Sequence, residues 1–277
     1  MKLIIKKNTL LRVEVEKDEK RITAVIPEGV TKIKAEAFQN AAWEIRVICI
    51  PASVQEIEDG ALYGDRVYWN ALEEIYVDEN NAQYKSEDGC LIEKQTKTLL
   101  LATNVTPRLS KNVGIIHTSV FNSHYKRKEL IIPANVKIVR ALAFSCSYFE
   151  RIIFEGMPES IEEGAFVYNP ELKEVVFQET GRYVFESGCL IDRQTQTVLV
   201  GTRSTKIPEG IKAIGVGAFF CAELDEPLYI PESVERIAHS SAITVSPRGI
   251  IVKCGSYAAK FIKADELLQK IYHLKEI

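Results

Sequence analysis

No apolar run in the chain approaches the length that a membrane-crossing helix requires, and membrane insertion is not expected. There is no C-x-x-C pair and no histidine at zinc-finger spacing, so no structural zinc site or other cofactor is signalled. Charge of one sign is also missing. The 35 basic and 38 acidic residues leave a formal net charge of -3, which gives no reason to expect nucleic acid or an anionic membrane as partner through counterion release. Six cysteines (Cys49, Cys90, Cys146, Cys189, Cys221, Cys254) are too dispersed for a dense disulfide framework and read as free buried thiols. The start, Met1-Lys2-Leu3-Ile4-Ile5-Lys6-Lys7, returns to charge too soon for a secretory h-region. As written the chain is expected in the cytoplasm, or at a surface or secreted if a leader has been removed. What the chain has, over 277 residues, is an ordinary globular composition with 46% hydrophobic and 26% charged positions, which excludes wholesale disorder.

Its organisation lies in a recurring block. Ile26-Pro27-Glu28-Gly29-Val30-x-x-Ile33-x-x-x-Ala37-Phe38 is answered by Ile207-Pro208-Glu209-Gly210-Ile211-x-x-Ile214-x-x-x-Ala218-Phe219. A short fixed period means that each unit covers its apolar face with its neighbours, so an elongated stack is expected. The Phe position of successive units is held by Phe38, Leu62, Phe121, Phe144, Phe166, Phe219 and Ala242. Two of the gaps, 59 and 53 residues, exceed the usual 22 to 24 and hold matching inserts. One runs from Gly89-Cys90-Leu91-Ile92 to Thr98-Leu99, the other from Gly188-Cys189-Leu190-Ile191 to Thr197-Val198. Gly89 to Gly188 is 99 residues and Leu72 to Leu172 is 100, which marks an internal duplication.

Within a unit, the segment before the proline is apolar at its first, fourth and sixth positions, as in Ile45, Ile48, Ile50 and Phe149, Ile152, Phe154. The final alternation predicts a short strand, which the following proline ends. The Ile-x-x-x-Ala-Phe part predicts a second short extended stretch and a brief helical or 3₁₀ corner, with the Phe inside. Inserts near 78–105 and 178–203 read as β-hairpins around polar turns such as Glu93 to Lys97, either extending the sheet or projecting from one face. Residues 1–21 read as an N-terminal β cap and 22–245 as repeats. Residues 246–277 read as a C-terminal cap whose helix begins after Gly255-Ser256 and carries Tyr257, Phe261, Leu267, Leu268, Ile271 and Leu274. One solenoid over residues 1–277 is the expected whole.

These residues resemble the BspA-type leucine-rich repeat, with the consensus Leu-x-x-Leu-x-Ile-Pro and then Val-x-x-Ile-Gly-x-x-Ala-Phe. Lys212-Ala213-Ile214-Gly215-Val216-Gly217-Ala218-Phe219 is close to it, and Gly255-Ser256-Tyr257-Ala258-Ala259-Lys260-Phe261 resembles the family's closing segment. The resemblance implies a right-handed α/β repeat solenoid of mostly short strands, found mainly in bacteria and often used for adhesion or binding, with no enzymatic activity attached.

Chemistry is sparse. His117, His124, His239 and His273 are the general-base candidates, but His117 and His239 fall in variable positions where a solvated side chain is expected. Gly215-Val216-Gly217 starts like a dinucleotide fingerprint, yet Phe220 stands where its third glycine should be. Asp78-Glu79-Asn80-Asn81 could offer oxygens to calcium but reads better as a solvated loop, and Asn104-Val105-Thr106 fits a glycosylation sequon. The stronger pattern is on the strands. If their fourth and sixth residues point inward, the fifth points out, which gives an outward column of Cys49, Tyr76, Ile131, Ile153, Val176 and Tyr229. Glu74, Glu129 and Arg151 stand in its charged flank, so the column reads as an apolar stripe with a polar rim, the form of a protein-binding surface. The same residues also suit a sheet for β-propensity alone. Three functions are weighed: a non-catalytic scaffold binding protein or peptide with Tyr76 and Tyr229 as anchors, self-association being possible; an adhesion or carbohydrate-binding module; and an enzyme, for which no polarised nucleophile and base are found.

Overall fold

The computed structural model describes residues 1–15, 22–63, 67–122, 127–245, 249–271 and 274–277. The chain opens on a hairpin of β1 (Lys2–Lys6) and β2 (Thr9–Glu14), turned by Lys7 and Asn8 at φ 47° and 59°. Two residues in the left-handed region match the right-handed twist of the flanking strands. From there two series of short parallel strands alternate. The first series is β3 (Ile22–Val25), β5 (Ile45–Ile50), β7 (Glu74–Val77), β12 (Glu129–Ile132), β14 (Arg151–Phe154), β16 (Glu174–Phe177), β21 (Leu228–Ile230) and β23 (Ile250–Val252). The second is β4 (Lys32–Ile33), β6 (Glu56–Ile57), β11 (Ile115–Ile116), β13 (Ile138–Val139), β15 (Ser160–Ile161), β20 (Ala213–Ile214) and β22 (Arg236–Ile237). Strand β2 pairs in parallel with β4, so the opening hairpin covers the first edge of the second series.

Turns join the series. Directly before each Ala-Phe position the backbone is left-handed, at Glu36, Gly60, Ser119, Leu142, Gly164 and Gly217, with φ between 58° and 80°. That reversal aims the next two side chains inward. Only Ala42–Glu44 and Ser240–Ile243 form 3₁₀ turns among the described residues. The Phe column is buried throughout, and its rings stack: Phe121 on Phe144 at 5.1 Å and Phe144 on Phe166 at 4.9 Å between centroids.

Each insert is a three-stranded meander, one strand more than the hairpin expected. They are β8 (Tyr84–Glu87), β9 (Cys90–Glu93) and β10 (Thr98–Ala102), and β17 (Tyr183–Glu186), β18 (Cys189–Asp192) and β19 (Thr197–Gly201). The extra turns are Asp88-Gly89 (φ 52° and 74°) and Ser187-Gly188 (φ 51° and 73°), the two-residue geometry that glycine favours. Strands β10 and β19 then pair in parallel with β11 and β20, so the inserts extend the second sheet and do not project. They are walls inside the stack. Leu91 and Leu101 face the N-terminal core, whereas Cys90, Ile92 and Leu99 face the middle one. Leu190 and Val200 likewise face the middle core, with Cys189, Ile191 and Val198 in the C-terminal one. Burial on both faces explains why these strands read as unbroken apolar runs. Tyr84 and Tyr183 close the seams: their hydroxyls accept the backbone N–H of Ile57 at 2.9 Å and of Ile161 at 2.8 Å.

The C-terminal cap differs from one continuous helix. Helix α1 (Tyr257–Ala264) starts as expected, with the Ser256 hydroxyl accepting from the Ala259 N–H at 3.2 Å. Asp265 ends it in extended geometry and accepts from the Leu268 N–H at the start of α2 (Glu266–Ile271). Leu274 belongs to β24 (Leu274–Glu276), which pairs with β23 and covers the last edge of the first series.

Candidate functional site

The first-series strands form three separate three-stranded sheets, β3-β5-β7, β12-β14-β16 and β21-β23-β24. The outward column is therefore broken into three rows. Register places Val25 beside Cys49 and Cys49 beside Tyr76, then Ile131 beside Ile153 and Ile153 beside Val176, and lastly Tyr229 beside Ile251 and Ile251 beside Lys275. Val25 and Tyr76 are more than half exposed, and Tyr229 is 37% exposed; Cys49, Ile131, Ile153 and Val176 are half-buried. Between the first two rows lies a hollow of about 600 Å³, lined in part by Glu73, Val105 and Arg108, and Arg108 itself bridges to Ile131. Each break falls where an insert lies between consecutive first-series strands, β8 to β10 between β7 and β12 and β17 to β19 between β16 and β21.

The flank of the middle row is more ordered than a solvated rim. Lys128, Glu150 and Lys173 form one cross-strand ladder, with Glu150 at 2.8 Å and 2.5 Å from the two ammonium groups. Glu129, Arg151 and Glu174 form a second of opposite pattern, with Arg151 at 3.2 Å and 2.7 Å. Each charge is matched across the strands. The hydrogen bond from Lys128, then that from Lys173, holds the Glu150 carboxyl at about 2, down from the usual 4.5. Glu87 also sits at about 2, because Lys85, Ser110 and Asn112 donate to it and tie β8 to the loop that follows the insert. Both carboxyls are depressed on folding, so their stabilisation is full above the ordinary carboxylate range and is lost as pH falls from 4.5 towards 2. Thermal unfolding followed over that window is expected to show a falling midpoint, and E87Q is expected to flatten part of the slope.

A second feature was not legible in the sequence. At the seam between β6 and the first insert is a cavity of about 290 Å³ lined by Ile57, Glu58, Asp59, Leu62, Tyr63, Tyr84, Glu93, Thr98, Leu100 and His117. A bulge between Leu99 and Leu101 accompanies the placement of Leu100 at its wall. His117, read as a solvated side chain, is half-buried instead. Its Nε2 is 4.0 Å from Asp59, its ring lies 5.3 Å from that of Tyr63, and its Nδ1 is buried without a hydrogen-bond partner. The Tyr63 hydroxyl donates to Asp59, and burial together with that bond pushes the phenol up. His239 is exposed, while His124 and His273 lie outside the described residues.

Other candidates resolve locally. Asn81 is not solvated: its amide donates to the carbonyls of Pro51 and Val54, and its oxygen accepts from the N–H groups of Gln83 and Tyr84. Among the described residues no group of three or more His, Cys, Asp or Glu could hold a metal ion. Asn104 of the sequon is buried and its amide donates to the Trp69 carbonyl, so a glycan has no room there in the folded chain. Of the six thiols only Cys90 and Cys189 are buried; Cys49 and Cys146 are half-buried, and Cys221 and Cys254 are exposed. Among the described residues no helix is long and apolar enough to cross a membrane.

A sequence profile of the BspA type leucine rich repeat region matches residues 18–87 and 101–198, in six copies, which is more than half of the chain. No curated protein matches significantly. Among solved structures, a leucine-rich repeat protein from Eubacterium ventriosum ATCC 27560 superimposes with a TM-score of 0.52 at 20% identity, over 82% of this chain and 65% of its own. A leucine rich cell surface protein from Faecalibacterium prausnitzii A2-165 gives 0.42 at 23% identity, over 79% and 59%. The pneumococcal vaccine antigen PcpA gives 0.48 at 18%, over 93% and 67%. The chain thus spans less than two thirds of the first two, and at 20% identity the likeness to the Eubacterium ventriosum protein concerns the fold alone.

Proposed function

The chain belongs to the BspA-type leucine-rich repeat family, and from that premise we propose that it is a non-catalytic scaffold that binds a protein or peptide through the exposed face of its first-series strands. The observation that carries the reading is the middle row. Ile131, Ile153 and Val176 stand in register, half-buried and flanked by two ladders whose charges already satisfy one another. An apolar strip beside neutralised charge favours burial by a partner over long-range attraction. Glu129 and Arg151 set the edge of that strip, as Glu74 does beside Tyr76. Tyr76 and Tyr229 are the anchors of the outer rows, each offering large contact area at little entropic cost. Catalysis is not part of the proposal, and the cavity beside His117 is lined by no serine, cysteine or lysine. The reading holds equally for a chain kept in the cytoplasm and for one displayed at a surface.

Replacing Tyr76 and Ile153 with Asp is expected to abolish capture of a partner from the source cell while the unfolding midpoint stays near that of the wild type, since neither side chain is in the core. Capture by the wild type should also survive raised salt, because the rim charges are internally paired. Unaltered capture by the double variant removes this face. Retention of the wild type on glycan arrays, indifferent to these substitutions, would move the reading to a carbohydrate-binding module.

A further inference from the structure

The two halves of the duplication treat the same seam differently. At the second insert the acid that corresponds to Asp59 is Glu163, and the chain supplies its cation: Arg236 reaches Glu163 at 2.6 Å and 3.3 Å. Gly215 lies at the seam there, where an added Cβ would come 3.4 Å from the Glu163 carboxylate. At the first insert the position of Arg236 is held by Ile138 and that of Gly215 by His117. The internal cation is gone, and a cavity of about 290 Å³ lies against Asp59 and His117.

From this contrast we propose that the cavity binds a primary alkylammonium group from outside the chain, either a lysine side chain or a small free amine. Asp59 and Glu93 provide the charge, Glu58 being already held by Lys32 at 2.6 Å. Tyr63 and His117, with ring centroids 5.3 Å apart at the cavity wall, supply aromatic surface against which a cation is attracted. Leu62 and Leu100 line the space an aliphatic stem would fill. At about 290 Å³ the volume is at the small end of ligand sites, ample for an alkylammonium group and its stem. The second half already displays the same pairing, a cation on an aliphatic stem against the equivalent carboxylate.

The test is titration of the full-length chain with n-butylammonium at constant ionic strength, read from the ring resonances of His117 and Tyr63. Saturable shifts confined to the cavity are expected, with n-butanol giving none. D59N should weaken binding roughly tenfold. I138R paired with H117G, which restores the second half's residues, should abolish it without lowering the unfolding midpoint. A lysine-bearing peptide that binds more tightly than both butylammonium and its norleucine counterpart identifies a polypeptide source; parity between that peptide and a short diamine identifies a free amine. Equal shifts from n-butanol, no change in D59N, or no saturable shift at His117 would overturn the proposal. Since the cavity lies on the second series, I153D should leave this binding intact, so failure of the strand-face reading and failure of this one are separable.

Discussion

Phe144→Ala is expected to remove about 3–5 kcal/mol of stability, a large share of the ~5–15 kcal/mol typical of a folded domain. Phe144 is fully buried, with Phe121 stacked on one side at 5.1 Å and Phe166 on the other at 4.9 Å. Truncation therefore removes the middle ring of three. Neither neighbour can close the gap without leaving its own buried position, so the lost transfer energy is joined by the cost of a persisting cavity. Phe144→Leu keeps much of the volume and should cost less than about 1.5–2 kcal/mol. Urea unfolding of the two variants beside the wild type measures the difference. A Phe144→Ala penalty below about 1 kcal/mol would mean that the column does not bear on stability.

The second large effect concerns the walls. Leu91 and Ile92 are adjacent on β9, point to opposite faces and are both fully buried, one in the N-terminal core and the other in the middle one. Either residue changed to Asp places an unpaired carboxylate in an apolar layer, at a cost of more than about 4 kcal/mol. Leu91→Asp and Ile92→Asp should both fail to give a folded chain at ordinary temperature. A hairpin projecting from the stack would tolerate one of them on its solvent face, so expression and circular dichroism of the pair distinguish the two placements. Lys85→Gln, on the half-buried strand β8, is the tolerant control, expected to lose only its pairing with Glu87.

The repeat register was readable because burial in a stack imposes it unit by unit. Phe38, Phe121, Phe144, Phe166 and Phe219 hold the same place in their units and are all buried, and Ile48, Ile152 and Val175 point inward by the period of two. Local chemistry also showed the opening hairpin at Lys7-Asn8 and the cap at Ser256. The third strand of each insert was less visible, because Tyr84 to Glu87 is polar at its edge; the signal that finds it is Asp88-Gly89, which demands a tight turn. The walls escaped because an apolar run such as Cys90-Leu91-Ile92 says that both faces are covered without saying by what. From this came the break in the outward column, a tertiary consequence of where the meanders sit. The cavity at His117 depends on residues 57 to 63, 84 to 100 and 117 meeting at one seam, a juxtaposition that no local pattern encodes. Only comparison of the halves, with His117 at the place of Gly215 and Ile138 at that of Arg236, marks it in the sequence.

The account rests on both inserts lying within the stack, since that placement sets the rows of the strand face and the cavity together. Thiol reactivity reads it directly. Cys90 and Cys189 sit fully buried on the two walls, with desolvation pushing each thiol up to about 12, whereas Cys221 and Cys254 are exposed. Treating the native chain with an aromatic disulfide reagent and locating the modified sites by mass spectrometry should show Cys221 and Cys254 labelled first, Cys49 and Cys146 later, and Cys90 and Cys189 only on unfolding. Labelling of Cys90 or Cys189 as fast as Cys221 in the folded chain would contradict it.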